Sequence, residues 1–190
     1  MITNVFADTY RSAQETWGKV EALVPELDAL AGWFFDIVQQ GGKVLACGNG
    51  GSAADALHLC EELVGRYRAN RRALPAVCLS ADATVMTCVI NDFGADAVFS
   101  RQVEALGNKG DVLVGFSTSG NSENVRRALA IAKDQGVHTL ALLGKDGGLI
   151  HGLADREIIV PSNDTARIQE VHTWILHGLL EKIERELVRE

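Results

Sequence analysis

From Gly41 onward the chain alternates short, nearly unbroken apolar runs with stretches of helical periodicity, and no other feature limits the possible folds as strongly. The runs at 43–47, 76–79, 111–116, 138–143 and 157–160 read as strands. Strands that are apolar throughout are buried on both faces, and strands separated by helices pair in parallel. The expectation is an α/β protein with three αβα layers around a five-stranded parallel sheet. Helical segments flank it. Val20, Leu23, Leu27, Leu30, Phe34, Ile37 and Val38 recur at helical spacing, Pro25 marks a boundary between two N-terminal helices, and Gly41-Gly42 ends the second. Ile168, Val171, Ile175, Leu176, Leu179, Leu180, Ile183 and Leu187 give residues 166–190 one apolar face, which predicts a long amphipathic C-terminal helix.

No repeat, low-complexity tract or linker interrupts this pattern, so a single domain is expected over 1–190. It comprises a helical segment at 1–40 and an α/β core with its C-terminal helix at 41–190. The helices carry more apolar surface than a small sheet needs, which points to a homo-oligomer. A net charge of -7 and a pI near 5.2 exclude a broad basic surface for nucleic acid. The basic run Arg66, Arg68, Arg71 and Arg72 is local: a solvated helix end, or a reach toward an anionic substrate. Four cysteines, Cys47, Cys60, Cys78 and Cys88, have no CxxC spacing and sit in apolar stretches, as expected of reduced thiols in a cytoplasm. No apolar run is long enough for a membrane span, and residues 1–14 lack the pattern of a leader.

Parallel sheets bind ligands at the carboxyl ends of their strands, so the loops there matter most. The first is Cys47-Gly48-Asn49-Gly50-Gly51-Ser52, where glycines admit a ligand close to the backbone ahead of a helix start. It has neither the lysine of a P-loop nor the spacing of a dinucleotide fingerprint. The loop after the third strand is Ser117-Thr118-Ser119-Gly120-Asn121-Ser122. Ser122 alone could be an ordinary helix cap, but hydroxyls grouped around one glycine make a neutral cradle for phosphate.

The helix after the first loop carries Asp55, His58 and Glu62. His58 and Glu62 share one face, Asp55 is spaced to orient the imidazole, and Glu61 is expected to point elsewhere. Leu57, Leu59, Cys60, Leu63 and Val64 surround the acid with apolar side chains.

CGNGGS, EELVGRYR, NDFG, STSGNS, GKDGG and RIQEVH occur in this order, and together they resemble the sugar isomerase (SIS) domain family, most nearly its phosphoheptose isomerases. The resemblance covers nearly all of the chain from Gly41 and implies a SIS-type, flavodoxin-like fold. It implies acid/base roles for Glu62 and His177 and zinc ligands at His58, Glu62, Gln169 and His177. Substrate contacts are implied for Asn49, Gly50, Gly51, Ser52, Glu62, Asn91, Asp92, Ser117, Thr118, Ser119, Ser122 and Gln169. Asn91-Asp92 also fits ordinary turn chemistry, and Arg66 and Arg68 match the family without a defined role. The implied reaction converts sedoheptulose 7-phosphate to D-glycero-D-manno-heptose 7-phosphate for lipopolysaccharide or another heptose-containing glycan, by a homotetramer in the cytoplasm. Such an isomerisation moves a proton between C1 and C2 through an enediol and needs an acid and a base. Two other readings share the cradle: an isomerase of a different phosphosugar, and a noncatalytic relative that attaches to a partner such as the replication initiator DnaA.

Gln169 and His177 are eight residues apart. On one straight helix they are separated by roughly 12 Å along the axis and about 80° around it. This predicts either a site shared between subunits or a distortion of the helix near Gln169.

Overall fold

Alternate residues of each strand feed opposite sides of the sheet, because strand side chains have a period of two. In the computed structural model, which describes residues 4–188, the strands are β1 (Val44–Cys47), β2 (Ala76–Cys78), β3 (Val112–Ser117), β4 (His138–Gly144) and β5 (Arg156–Val160). They form one parallel sheet in the order β2-β1-β3-β4-β5. Val44, Ala46, Val112, Val114, Phe116, Leu140 and Leu142 pack into one core. Leu45, Cys47, Leu113, Ala141 and Leu143 pack into the other.

The first core is covered by α2 (Val24–Gln39), α3 (Gly51–Val64) and α7 (Thr165–Leu187), with α1 (Val5–Val20) packed outside against α7. Pro25 lies in the first turn of α2, where its missing N–H removes no helical bond. The second core is covered by α5 (Ser100–Leu106) and α6 (Glu123–Asp134). Between β2 and α5 comes α4 (Ala83–Phe93), whose N-terminus is capped by the Asp82 carboxylate accepting from Thr84 and Val85. Only Val89 of α4 is buried.

Each expected strand appears within one residue of its expected bounds. One connection differs: β4 and β5 are joined by a loop holding a single 3-10 turn, Gly148–Ile150, rather than an α-helix. Gly147, Gly148 and Gly152 all hold positive φ, which an α-helix does not accommodate.

The chain leaves β1 toward β2 on one side and later enters β3 on the other. The loops after β1 and β3 therefore border one crevice at the sheet's carboxyl edge, the place where such sheets receive ligands. Cys47 at the end of β1 is level with Gly115 of β3, so the two loops start side by side.

Candidate active site

In the glycine loop, Gly48 and Gly51 lie against atoms that leave no room for a side chain. Gly50 adopts φ +56 at the start of α3, and a Cβ on Gly51 would overlap the amide of Gln169 from α7. Gln169 therefore lies against the helix N-terminus beside Asn49 and Gly50. Ser52 is buried, and its N–H donates to the Asn49 carbonyl at 3.0 Å.

The serine turn is held from two sides. Ser122 precedes α6, yet its hydroxyl does not cap the helix; it lies 3.0 Å from the hydroxyl of Ser117. Ser119 Oγ accepts from the Asn121 N–H at 3.1 Å, and the Asn121 side chain accepts from Leu149 in the β4–β5 loop at 3.1 Å. Gly120 holds φ +66 with its α-carbon directly against the Gly147 carbonyl, so a Cβ there would collide with that backbone. Thr118 and Ser119 remain half-exposed. The two loops are joined by a reciprocal amide pair: Asn49 Nδ2 donates to Asn124 Oδ1 at 2.9 Å and Asn124 Nδ2 donates to Asn49 Oδ1 at 3.0 Å. Asn124 has no place in the sequence expectations, although its position just after the serine turn was the available signal.

The acid/base candidates meet elsewhere, between α3 and α7. These helices pack in parallel: Gly51 lies against Gln169, Asp55 against Thr173, and His58 against His177. His58 Nε2 is 3.6 Å from Glu62 Oε1, and the two imidazoles meet edge to face with centroids 5.0 Å apart. Tyr67 stacks on the other side of His177 at 5.4 Å, with the Arg68 guanidinium over the tyrosine ring. Burial holds His177 below the usual imidazole range and the charge of His58 adds to this, while Glu62 opposes it. Glu62 and His177 thus occupy one neighbourhood of one chain.

Other parts of the expected constellation fall differently. Asp55 does not orient His58; its Oδ1 accepts from the Thr173 hydroxyl at 2.8 Å, and its buried Oδ2 has no hydrogen-bond partner. Burial raises the Asp55 carboxyl above the ordinary range, against the opposing effects of Thr173 and His58. Glu61 does not point away: His58, Glu61 and Glu62 each offer a ligand atom within 4.8 Å of the others. The rotatable bonds of a long glutamate side chain overcome the offset around the helix. Leu57 and Val64 face solvent rather than enclosing the acid. Asn91 and Asp92 lie in the last turn of α4, not in a turn outside it. Both are exposed, and Asn91 Nδ2 donates to Asp92 Oδ1 at 2.7 Å. Arg71, expected among solvated arginines, is a buried side chain, 2% exposed. His172 of RIQEVH is a core residue that hydrogen-bonds Leu143 O at 3.0 Å, and burial pushes its pKa down to about 4.

The donor types suit zinc, which accepts imidazole nitrogens and carboxylate oxygens. His58 and Glu62, with His177 facing them, fit such a site. Gln169 lies two helical turns away, and α7 runs without interruption from Thr165 to Leu187, which removes the distorted-helix alternative. A cavity of about 420 Å³ opens between α2, α7 and Tyr67-Arg68 with His177 on its wall; the serine turn does not line it. Among the described residues no helix is long and apolar enough to cross a membrane.

The SIS domain family matches residues 9–144. Phosphoheptose isomerase of Citrifermentans bemidjiense is 52% identical over 165 residues, covering 87% of this chain and 86% of that protein. The solved phosphoheptose isomerase of Neisseria gonorrhoeae is 40% identical with a TM-score of 0.91, over 97% of this chain and 100% of that one. That of Francisella tularensis is 34% identical with a TM-score of 0.93, over 97% and 99% of the two chains. The chain belongs to the SIS domain family and, within it, to the phosphoheptose isomerases, a family of isomerase enzymes.

Proposed function

We propose that this isomerase converts sedoheptulose 7-phosphate to D-glycero-D-manno-heptose 7-phosphate in the cytoplasm, supplying heptose to lipopolysaccharide or a related glycan. The observation that carries the reading is the meeting of Glu62 and His177, from distant parts of the chain, around His58 on parallel helices.

The Glu62 carboxylate takes the proton from C1 of the ketose while His177 donates one to the C2 oxygen, giving a neutral enediol. Glu62 then returns its proton to C2 as His177 recovers one from the C1 hydroxyl, which becomes the aldehyde oxygen. Every proton removed is replaced, and each group ends in its starting state. The serine turn and the helix N-termini beside it bind the phosphate through neutral donors. Gln169, Asn49, Gly50, Gly51 and Ser52 line the sugar chain in this reading, with Asn91 and Asp92 as further contacts. Zinc held by His58, Glu62 and His177, with a copy of Gln169 from a second subunit as the fourth ligand of the family pattern, would supply polarisation of the carbonyl.

His58 lies seven residues beyond Gly51 on α3, which is about 10 Å along the axis. Leu57, Val64 and Trp174 stand exposed around the acid/base group, and Val85, Ile90 and Phe93 are exposed on α4. Apolar surface around a half-open site supports a homotetramer whose sites combine the loops of one subunit with helices of another. Incubation with a panel of ketose phosphates, with and without a chelator, tests the reading. Aldose formation from the seven-carbon substrate is expected. Turnover of a different sugar phosphate would reassign the substrate, and binding of phosphosugars without turnover of any would replace the enzyme by an adaptor.

A further inference from the structure

Behind the Tyr67–His177 stack lies a buried carboxylate that the proposed chemistry does not use. Glu184, near the end of α7, is 6% exposed. Its two oxygens accept backbone N–H groups from three successive residues, Tyr67 at 2.9 Å, Arg68 at 3.0 and 3.1 Å, and Ala69 at 2.9 Å. Consecutive amides turned onto one anion form a nest, which fixes the backbone of the segment that supplies them. Burial alone would raise the Glu184 carboxyl, but the amides of Ala69, Arg68 and Tyr67 and the charge of Arg71 outweigh it and hold it low.

Arg71 completes the arrangement. Its Nε is 3.8 Å from Glu184 Oε1, and its side chain is as buried as a core residue. The guanidinium forks onto the C-terminus of α3: Nη1 donates to the carbonyls of Leu63 at 2.8 Å and Gly65 at 3.3 Å, and Nη2 donates to the carbonyl of Glu62 at 2.6 Å. The last carbonyls of a helix have no helical partners, and a cation there also complements the helix dipole. One acid therefore stands behind both halves of the acid/base pair. Through the nest it sets the loop that seats Tyr67 on His177, and through Arg71 it anchors the turn of α3 that carries Glu62.

We propose that Glu184 and Arg71 form a clamp that positions His177 and Glu62 relative to each other, with Tyr67 as the part that bears on the imidazole. The clamp deepens the isomerase reading and rests on it for its effect on rate. Neither Glu184 nor Arg71 borders the serine turn, so its loss disturbs chemistry rather than phosphate binding. Glu184→Gln replaces one acceptor oxygen by an NH2 that faces other donors, while keeping the volume.

The test combines two measurements on the full-length protein. In selectively histidine-labelled protein, the His177 ring protons, assigned with His177→Asn, should carry a ring-current shift from Tyr67 that Tyr67→Leu abolishes. Glu184→Gln should move that resonance toward its position in Tyr67→Leu. In turnover of sedoheptulose 7-phosphate, Glu184→Gln should lower kcat by about 100-fold, as expected for misplaced reacting groups, with KM within about twofold of wild type. The Glu184→Gln/Tyr67→Leu double variant should lose no more than the worse single variant, since the two act through one contact. Should Glu184→Gln not fold, Glu184→Asp retains the charge and retracts it, and a smaller displacement in the same direction is expected.

A His177 resonance at its wild-type position in either Tyr67→Leu or the Glu184 variant overturns the clamp, as do fully additive losses in the double variant. The resonance is read without substrate. A wild-type protein with no turnover but with the expected displacement would therefore sink the isomerase reading and leave the clamp standing.

Discussion

The serine turn proposed as the phosphate cradle and the proposed acid/base group are built by opposite means. The cradle comes from contiguous residues at the ends of adjacent strands, and its shape is set by backbone: a left-handed Gly120, hydroxyls paired across the turn, and a neighbouring loop pressed against it. The acid/base group comes from two parallel helices, and its shape is set by side chains that meet only because α3 and α7 share one core. Binding an invariant anion asks for a rigid, neutral nest. Moving protons asks for side chains whose charge can change.

The largest effect should come from breaking the chemistry while sparing the nest. Glu62→Gln keeps the volume and polarity of the side chain but removes the base. We expect kcat to fall by at least about 1,000-fold, within the range for loss of a positioned acid/base group, while calorimetry still detects sugar-phosphate binding. Retained turnover would remove Glu62 from the mechanism, and lost binding would mean that the two regions are not separable.

The nest can be broken at glycine. At Gly120, a methyl group would meet both a disfavoured φ of +66 and the backbone of Gly147, and neither chain segment can yield cheaply. Gly120→Ala should cost about 3 kcal/mol in denaturant unfolding, from backbone strain and overpacking together. At Gly50, φ is +56 but nothing lies within 4 Å of the added carbon. Gly50→Ala should therefore cost only the conformational strain, about 1–2 kcal/mol. Equal costs would show that contact between the cradle and the β4–β5 loop contributes nothing.

A third test addresses the helical region's core. His172 is fully buried, packs edge-on to Phe116 and accepts no proton readily, with a pKa near 4, because burial disfavours its charged form. An unfolded chain binds that proton near pH 6.5. The folded state is thus favoured above pH 6.5, and this contribution is lost as pH falls toward 4. The loss is on the order of 3 kcal/mol. His172→Leu should flatten unfolding midpoints over that window, and an unchanged slope would assign the acid sensitivity to other groups.

This contrast also explains what could be read in the sequence. The sheet was legible because unbroken apolar runs between helical stretches leave little choice but parallel strands, and the two loops were legible because their chemistry is contiguous. Glycine spacing at 147, 148 and 152 held the clue that β4 and β5 lack a helix between them, but the alternation pattern obscured it. Helical arithmetic placed His58 beside Glu62 and kept Gln169 away from His177 on an unbroken helix. It could not find the partners of Asp55, Tyr67 or Glu184. Those depend on the register between α3 and α7 and on the path of residues 65–72, which are properties of the packed core rather than of any local pattern.

The smallest predicted effect concerns a link between the glycine loop and the serine turn. The Asn49–Asn124 pair makes two neutral hydrogen bonds at 2.9 and 3.0 Å, and both residues are at least partly open to solvent. Water can replace such bonds, so Asn124→Ala should lower stability by only about 1 kcal/mol. Its effect on function should be more specific. Asn124 Oδ1 also accepts from the Val125 N–H at 3.0 Å, so the residue ties the first turn of α6 to the glycine loop and sets the spacing of the crevice. KM for the sugar phosphate should rise several-fold, by about the worth of one hydrogen bond, while kcat changes little. If kcat falls as far as KM rises, the loops help to align the reacting carbons, and the division between a binding region and a chemical region would have to be redrawn.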